Sequence, residues 1–217
     1  MTDFRLNRIL SRPLTHLLLR TPLTPNQITF LTLAFGVLAG VFFSSGLYLQ
    51  TLLGAFFYQT AVVLDNCDGE VARAKNMKSE FGSWLDIAAD FFTDVALFTG
   101  IGLGVYRQGV EGPVLLFTLL CVSGSGLHVF LVVMEKVRGF GPAVYQAPHP
   151  EHAQRKDFWL TLFDALREGD ISWGVVLLTV FNGLPWLLWL GGIYMQALWI
   201  GALLVNFRWT FLKRPSA

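Results

Sequence analysis

Six long apolar stretches, separated by short polar segments, run along most of this 217-residue chain. A bilayer core requires about 20 apolar residues per helix. The pattern therefore predicts an all-α integral membrane protein, with six transmembrane helices in a single domain (residues 1–217). The predicted spans are residues 28–47, 48–64, 84–105, 113–134, 172–190 and 192–207, so that the bundle occupies residues 28–207.

The segment before the first span, residues 1–24, has a different pattern. Its apolar residues recur at helical spacing with arginines between them: Phe4, Ile9, Leu10, Leu14, Leu17 and Leu18. This pattern predicts an interfacial helix that lies along the headgroup plane and ends at Pro22 and Pro25. The N-terminus lacks the apolar core of a signal peptide, so we expect no cleaved signal.

Composition and charge support a membrane protein and fix an expected orientation. Hydrophobic residues make up 53% of the chain and charged residues 14%, whereas soluble domains carry about 25% charged residues. This excludes most soluble enzymes and a nucleic-acid partner bound by a basic face. With six spans, fifteen of the sixteen Lys and Arg residues fall on one side, and Arg107 alone falls on the other. The positive-inside rule makes the basic side cytoplasmic, in a multi-pass protein of the cell membrane.

Four aspartates near one end of the second and third predicted spans are the strongest chemical signal. Asp65 and Asp68 are spaced i, i+3, and Asp86 and Asp90 are spaced i, i+4, so each pair shares a helix face. Adjacent antiparallel helices would bring the four carboxylates together. Hard oxygen ligands favour Mg²⁺, Mn²⁺ or Ca²⁺ over Zn²⁺. Two such ions a few ångströms apart are typical of phosphoryl-transfer sites. The predicted site lies at the cytoplasmic ends of the second and third spans.

The same residues carry a resemblance to a known family. The chain contains every fixed position of D-x2-D-G-x2-A-R-x8-G-x3-D-x3-D, from Asp65 to Asp90. This motif resembles the signature of the CDP-alcohol phosphotransferases (also called CDP-alcohol phosphatidyltransferases). Residues 24–29, the six spans and the interfacial helix are also similar to that family, so the resemblance covers nearly the whole chain.

The resemblance implies a reaction and a role for each motif residue. An acceptor alcohol would attack the β-phosphorus of a CDP-alcohol and release CMP, as in phospholipid or phosphodiester biosynthesis. Two ions, Mg²⁺ or Mn²⁺, would be held by the four aspartates, and Asp90 would also act as the base. The CDP moiety would bind at Asn26, Asp65, Gly69, Ala72, Arg73 and Gly82. The resemblance also implies a homodimer.

Substrates and two competing functions stay open on the sequence alone. Residues 20–26 and 167–170 resemble the branch of inositol-phosphate-linking enzymes, but inositol, inositol phosphate, glycerol phosphate, serine and lipid alcohols all remain candidate acceptors. A Mg-dependent intramembrane prenyltransferase or a cation transporter would also place aspartates in spans. The roles of Asp94 and His128 are open. Small residues at Gly100, Gly102, Gly104 and 123–126 offer surfaces for close helix contact, in keeping with the expected dimer.

Overall fold

The computed structural model describes residues 6–138 and 171–212, and within these ranges every regular element is an α-helix. Seven helices occur in these ranges. They are α1 (Leu6–Leu19), α2 (Pro25–Ser44), α3 (Tyr48–Ala74), α4 (Glu80–Arg107), α5 (Val114–Arg138), α6 (Ile171–Val180) and α7 (Leu184–Leu212). The expected all-α class is therefore confirmed.

Four of these helices are long and apolar enough to cross a membrane. They are α2, α4, the Val114–Met134 part of α5 and the Leu184–Leu204 part of α7. Helix α3 is equally long, but Gln50, Gln59 and its aspartates make it more polar. Several apolar helices in succession indicate a multi-pass membrane protein.

The boundary predicted between the fifth and sixth spans is wrong. We expected one span over 172–190 and another from 192, but α6 ends at Val180 and α7 continues through Gly191 and Gly192. The chain turns instead at Asn182, whose φ of 55° lies in the left-handed region that asparagine tolerates. Gly192 serves helix packing, because a methyl group there would lie 2.9 Å from Phe117 Cδ1.

Other helices extend beyond their predicted apolar parts. Helix α3 continues past residue 64 to Ala74, and α5 continues past Met134 to Arg138. All four motif aspartates therefore lie within helices. Lys136, which the sequence pattern assigned to the loop after the fourth span, lies on the last turn of α5.

Helix α1 packs on α3 with its polar face inward. Asn7, Ser11 and Thr15 are buried, whereas Ile9 and Leu17 are each 60% exposed. Two of these buried polar side chains have partners on α3: Gln59 Nε2 donates to Asn7 Oδ1 (2.6 Å) and Thr15 Oγ1 donates to Glu70 Oε2 (2.6 Å). Ile9, Leu10 and Leu17 thus face away from the protein, whereas Leu14 and Leu18 pack against the core.

Lys75 and Arg107 lie at opposite ends of the bundle. At one end Lys75 Nζ donates to the carbonyls of Thr21 (2.8 Å) and Leu23 (2.9 Å), and joins α3 to the segment before α2. At the opposite end, Arg107 donates to the carbonyl of Ser44, where α2 ends. Arg107 thus lies at the end opposite Lys75, as the charge pattern requires.

The small residues expected to face a partner chain are used within this chain. Gly100 contacts the backbone of Gly40, and Gly104 contacts the carbonyl of Phe43, so α2 and α4 approach closely. Gly124 lies against Met195 of α7. These small residues of α4 and α5, which we term the glycine stripe, therefore give no support to the expected dimer.

Candidate active site

The first turns of α2 and α4, which lie beside the motif aspartates, are both capped by side chains. The backbone N–H of Thr24 donates to Gln27 Oε1 (2.9 Å), while the Thr24 hydroxyl accepts from the Gln27 N–H (3.4 Å). This capping box fixes the first turn of α2. Ser79 Oγ likewise accepts from the Gly82 N–H (3.0 Å) at the start of α4. The polar motif residues therefore sit on well-defined helix turns.

The structure brings three of the four predicted metal ligands into one cluster. One oxygen from each of Asp65, Asp68 and Asp86 lies within 4.8 Å of the other two. The Asp90 carboxyl group lies next to that of Asp65, one helical turn beyond Asp86 on α4. The i, i+3 and i, i+4 spacings thus place all four carboxyl groups between α3 and α4.

The chemistry of this donor set fits a hard divalent cation. Carboxylate oxygens are the groups that Mg²⁺ and Mn²⁺ prefer, and thiolates are absent from the cluster. Cys67, although inside the motif, directs its thiol toward the carbonyl of Ser11 (3.5 Å). Asp68 is buried, and Thr29 Oγ1 donates to its Oδ2 at 2.6 Å, which fixes the carboxylate orientation. A cation held here would offset the repulsion between adjacent carboxylates.

A cavity of about 610 Å³, which we term the polar cavity, opens beside the cluster. It is lined by five of the six residues expected to bind CDP: Asn26, Gly69, Ala72, Arg73 and Gly82. Asp68 and Asp86 form its inner wall. The volume lies within the roughly 300–1,000 Å³ typical of small-ligand sites. Asp65, the sixth expected residue, lines a different cavity.

Small residues keep the polar cavity open. A methyl group added to Gly82 would lie 2.9 Å from Asn26 Oδ1 and 3.1 Å from Ser79 Oγ. One added to Gly69 would lie 3.5 Å from a guanidinium nitrogen of Arg73. Glycine at these positions leaves room for a ligand to approach the backbone of α3 and α4.

A second cavity of about 400 Å³, the inner cavity, lies deeper along α4. Asp65, Asp86, Asp90, Asp94 and His128 contribute to its wall. Ser125 Oγ donates to Asp94 Oδ2 at 2.7 Å, which ties α5 to α4. Asp86 lines both cavities, so the carboxylate cluster separates them.

Comparison with known proteins decides the family. The family model described as CDP-alcohol phosphatidyltransferase matches residues 22–204. This chain belongs to the CDP-alcohol phosphatidyltransferase family. As a CDP-alcohol phosphatidyltransferase, it is a membrane enzyme that moves a substituted phosphate group from a CDP-alcohol to an acceptor alcohol and releases CMP. Membership of this family excludes the two competing functions, an intramembrane prenyltransferase and a cation transporter.

Relatives of this CDP-alcohol phosphatidyltransferase occur in bacteria and archaea. An uncharacterized protein of Aquifex aeolicus is 32% identical over 79% of this chain and 82% of the relative. The archaetidylinositol phosphate synthase of Pyrococcus horikoshii is 28% identical over 79% of this chain and 82% of the relative. The phosphatidylinositol phosphate synthase of Mycobacterium tuberculosis, solved with CDP-DAG bound, shares the fold. It has a TM-score of 0.61 and 22% identity, over 96% of this chain and 100% of that one.

Lys136 is a residue of this CDP-alcohol phosphatidyltransferase that sequence reasoning missed. It lines the polar cavity from α5, its ammonium group donates to Ser83 Oγ, and its Nζ lies 4.3 Å from the centroid of the Trp84 ring. It is also close enough to Asp86 to interact with it electrostatically. The motif ends at Asp90 and does not include Lys136. The positive-inside rule alone accounts for a single lysine near the end of a span, so no sequence signal marks Lys136 as a site residue.

Proposed function

We propose that this enzyme transfers a lipid phosphoryl group from a CDP-activated lipid alcohol to a phosphorylated polyol of the inositol phosphate class. The names of the Pyrococcus and Mycobacterium relatives motivate both substrates. The observation that carries the proposal is the grouping of Arg73, Lys78 and Lys136 around the polar cavity. Three cations exceed what one pyrophosphate requires, and the surplus suits a phosphorylated acceptor.

Asp65, Asp68, Asp86 and Asp90 hold two divalent ions in this proposal, Mg²⁺ or Mn²⁺. The clustered oxygens support this assignment, as does the Mycobacterium relative, which has also been solved with manganese and citrate. When bound, such ions neutralise charge on the pyrophosphate and stabilise the departing CMP. The buried Thr29–Asp68 hydrogen bond keeps one ligand in place before the ions bind.

The CDP moiety occupies the polar cavity in this proposal. Asn26, Gly69, Ala72 and Gly82 surround it with small or uncharged groups, which lets the nucleotide reach the helix backbones. The Arg73 guanidinium pairs with pyrophosphate oxygens through its planar, permanently charged fork. Asp65 contributes from the inner-cavity side, next to the β-phosphorus.

The transfer is a single displacement. The acceptor hydroxyl oxygen forms a bond to the β-phosphorus, the bond between that phosphorus and the bridging oxygen breaks, and CMP leaves with the electron pair. Asp90 takes the hydroxyl proton, because it lines the inner cavity beside Asp65 and is therefore next to the reacting phosphorus. Lys136 holds the phosphate of the acceptor on the polar-cavity side.

The membrane arrangement is also part of the proposal. The chain is one domain with six spans, its active site faces the cytoplasm, and it works as a homodimer through surfaces other than the glycine stripe. Helix α1 lies in the headgroup plane at the bilayer surface. Its inward polar face and outward Ile9, Leu10 and Leu17 support this position, because the outward side meets lipid.

Thiol labelling in intact cells tests the orientation. A cysteine in place of Gln108, next to Arg107, should react with an impermeant maleimide, whereas one in place of Lys78, in the polar cavity, should react only after permeabilisation. The native Cys67 and Cys121 are buried, which keeps the background low. The reverse labelling pattern would place the active site on the outer face and refute the use of cytosolic CDP-donors.

An acceptor panel tests the proposed substrates. Purified enzyme with CDP-DAG should release CMP faster with inositol phosphate than with inositol, glycerol phosphate or serine. Lys136→Gln should raise the KM for inositol phosphate by about tenfold or more, the effect of losing one charge-assisted hydrogen bond. Lys136→Arg, which keeps the charge, should retain most of the preference. Equal rates with inositol and inositol phosphate would refute a phosphorylated acceptor.

A further inference from the structure

Two neighbouring residues at the start of α4 hold the ammonium group of Lys136, which comes from the last turn of α5. The Lys136 Nζ lies 4.3 Å from the centroid of the Trp84 ring, within the roughly 6 Å over which a cation is attracted to an aromatic face. The same Nζ donates a hydrogen bond to Ser83 Oγ. All three side chains line the polar cavity, so the contact fixes a cation in the wall of that cavity.

A lysine side chain at the surface is normally mobile. Lys136 is exposed, and lysine has one of the largest side-chain conformational entropies of the amino acids. A ligand that binds a mobile lysine must order it, and that loss of entropy weakens binding. Because Trp84 and Ser83 already restrict Lys136, an anion that binds there orders less of the protein.

Neither contact removes the charge of Lys136. A hydroxyl and an indole ring carry no formal charge, so the ammonium keeps its positive charge, and it has three N–H donors, of which Ser83 accepts one. Asp86 lies close enough to attract the same ammonium electrostatically. A direct pair with Asp86 would take the cation from the acceptor and an oxygen from the proposed metal site. The contacts with Trp84 and Ser83 oppose that pairing.

We propose that Trp84 and Ser83 are positioning residues, which hold the Lys136 ammonium ready for the phosphate of the acceptor and thereby strengthen the preference for a phosphorylated acceptor. This inference rests on the proposed role of Lys136 in acceptor binding. It assigns no contact between Trp84 and either substrate, since the indole acts through the lysine. The affinity for the CDP-donor is therefore expected to be independent of the ring.

Replacement of each contact tests the proposal by steady-state kinetics. Trp84→Leu keeps an apolar side chain but removes the aromatic face, and it should raise the KM for inositol phosphate by about two- to fivefold, the effect of an exposed cation–π contact. Trp84→Phe keeps an aromatic face and should raise it less. Ser83→Ala should raise the same KM by about fivefold, the effect of one hydrogen bond. The KM for the CDP-donor should not change in any of these variants.

A double-mutant cycle with Lys136 separates positioning from a direct contact. In the Lys136→Gln background, Trp84→Leu should have no further effect on the acceptor KM, because no cation remains to be held. Phe81→Leu is the matched control, since Phe81 is exposed on the first turn of α4 and is not among the residues that line the polar cavity. It should change neither KM. Trp84→Leu should keep the wild-type melting temperature, because the ring is 38% exposed.

The assay uses whichever phosphorylated acceptor gives the fastest CMP release with wild-type enzyme. If no phosphorylated acceptor is used, or if Lys136→Gln leaves its KM unchanged, the proposed role of Lys136 and this inference both fail. If Lys136→Gln raises that KM but Trp84→Leu does not, this inference alone is overturned. An equal effect of Trp84→Leu in both backgrounds, or a rise in the donor KM, would also overturn it, because the indole would then contact a substrate directly or support the site as a whole.

Discussion

Chelation of divalent cations should reduce CMP release by purified enzyme more than about 100-fold, and added Mg²⁺ or Mn²⁺ should restore it. Bound metal ions contribute several kcal/mol to transition-state stabilisation, and each 1.36 kcal/mol changes the rate about tenfold. The carboxylate oxygens of Asp65, Asp68 and Asp86 lie so close together that their negative charge must be neutralised when a pyrophosphate binds beside them. The measurement is CMP release after EDTA treatment and dialysis, with residual metal quantified by mass spectrometry.

An Asp68→Asn variant tests the metal site at a single residue. This buried side chain accepts from Thr29, so asparagine keeps the size but loses one metal-binding oxygen and the negative charge. Binding of metal and of CDP-donor should weaken together. Glu111→Gln, which removes a carboxylate from the opposite end of the bundle, is the matched control and should behave like wild type. Full turnover in metal-free buffer would rule out the metal site.

Asp90→Asn should lower kcat by about 10²–10⁴, the usual contribution of a positioned base. Asparagine keeps the shape and one oxygen for a metal ion but cannot accept the hydroxyl proton. Because Asp90 lines the inner cavity and not the polar cavity, the affinity for the CDP-donor should stay within a few-fold of wild type. Steady-state kinetics and a direct measurement of donor binding give both quantities.

Comparison with Asp68→Asn makes the Asp90 test specific. We expect Asp90→Asn to lose turnover but keep donor binding, and Asp68→Asn to lose both. This difference would separate the base from the metal ligand. If Asp90→Asn kept more than about a tenth of the wild-type kcat, outside the range expected for a base, Asp90 would be only a replaceable ligand.

The aspartate pairs illustrate what the sequence could predict. Helical spacing alone puts Asp65 with Asp68 and Asp86 with Asp90, and the structure brings the carboxyl groups of both pairs together between α3 and α4. The division of the site into two cavities could not be predicted. It depends on how α2, α3, α4 and α5 approach one another, which is set by contacts between residues far apart in the chain, such as Gly36 with Thr93.

The position of the turn between the last two helices shows the limit of local pattern. Gly191-Gly192 and Asn182-Gly183 are both plausible turns in an apolar stretch. The chain turns at Asn182 and Gly183, while Gly191 and Gly192 let α7 approach Phe98 and Phe117. Only the packing partners distinguish a glycine that breaks a helix from one that lets two helices meet.

Helix α1 makes a similar point about amphipathic segments. Periodicity predicted a helix with distinct faces, and α1 is helical from Leu6 to Leu19. Which face meets the protein depends on partners elsewhere. The buried polar face finds hydrogen bonds at Gln59 and Glu70 on α3, and Asn7 Nδ2 donates to Ser172 Oγ (3.0 Å).

The most direct test of this account follows phosphorus in one reaction. Purified enzyme, CDP-DAG, inositol phosphate and Mg²⁺ are incubated in detergent micelles and followed by ³¹P NMR. We predict that one CMP appears for each new phosphodiester, and that omission of the acceptor or of Mg²⁺ stops both. CMP formation without a new phosphodiester, or no CMP from any CDP-alcohol offered, would contradict the assignment of this chain as a CDP-dependent transferase.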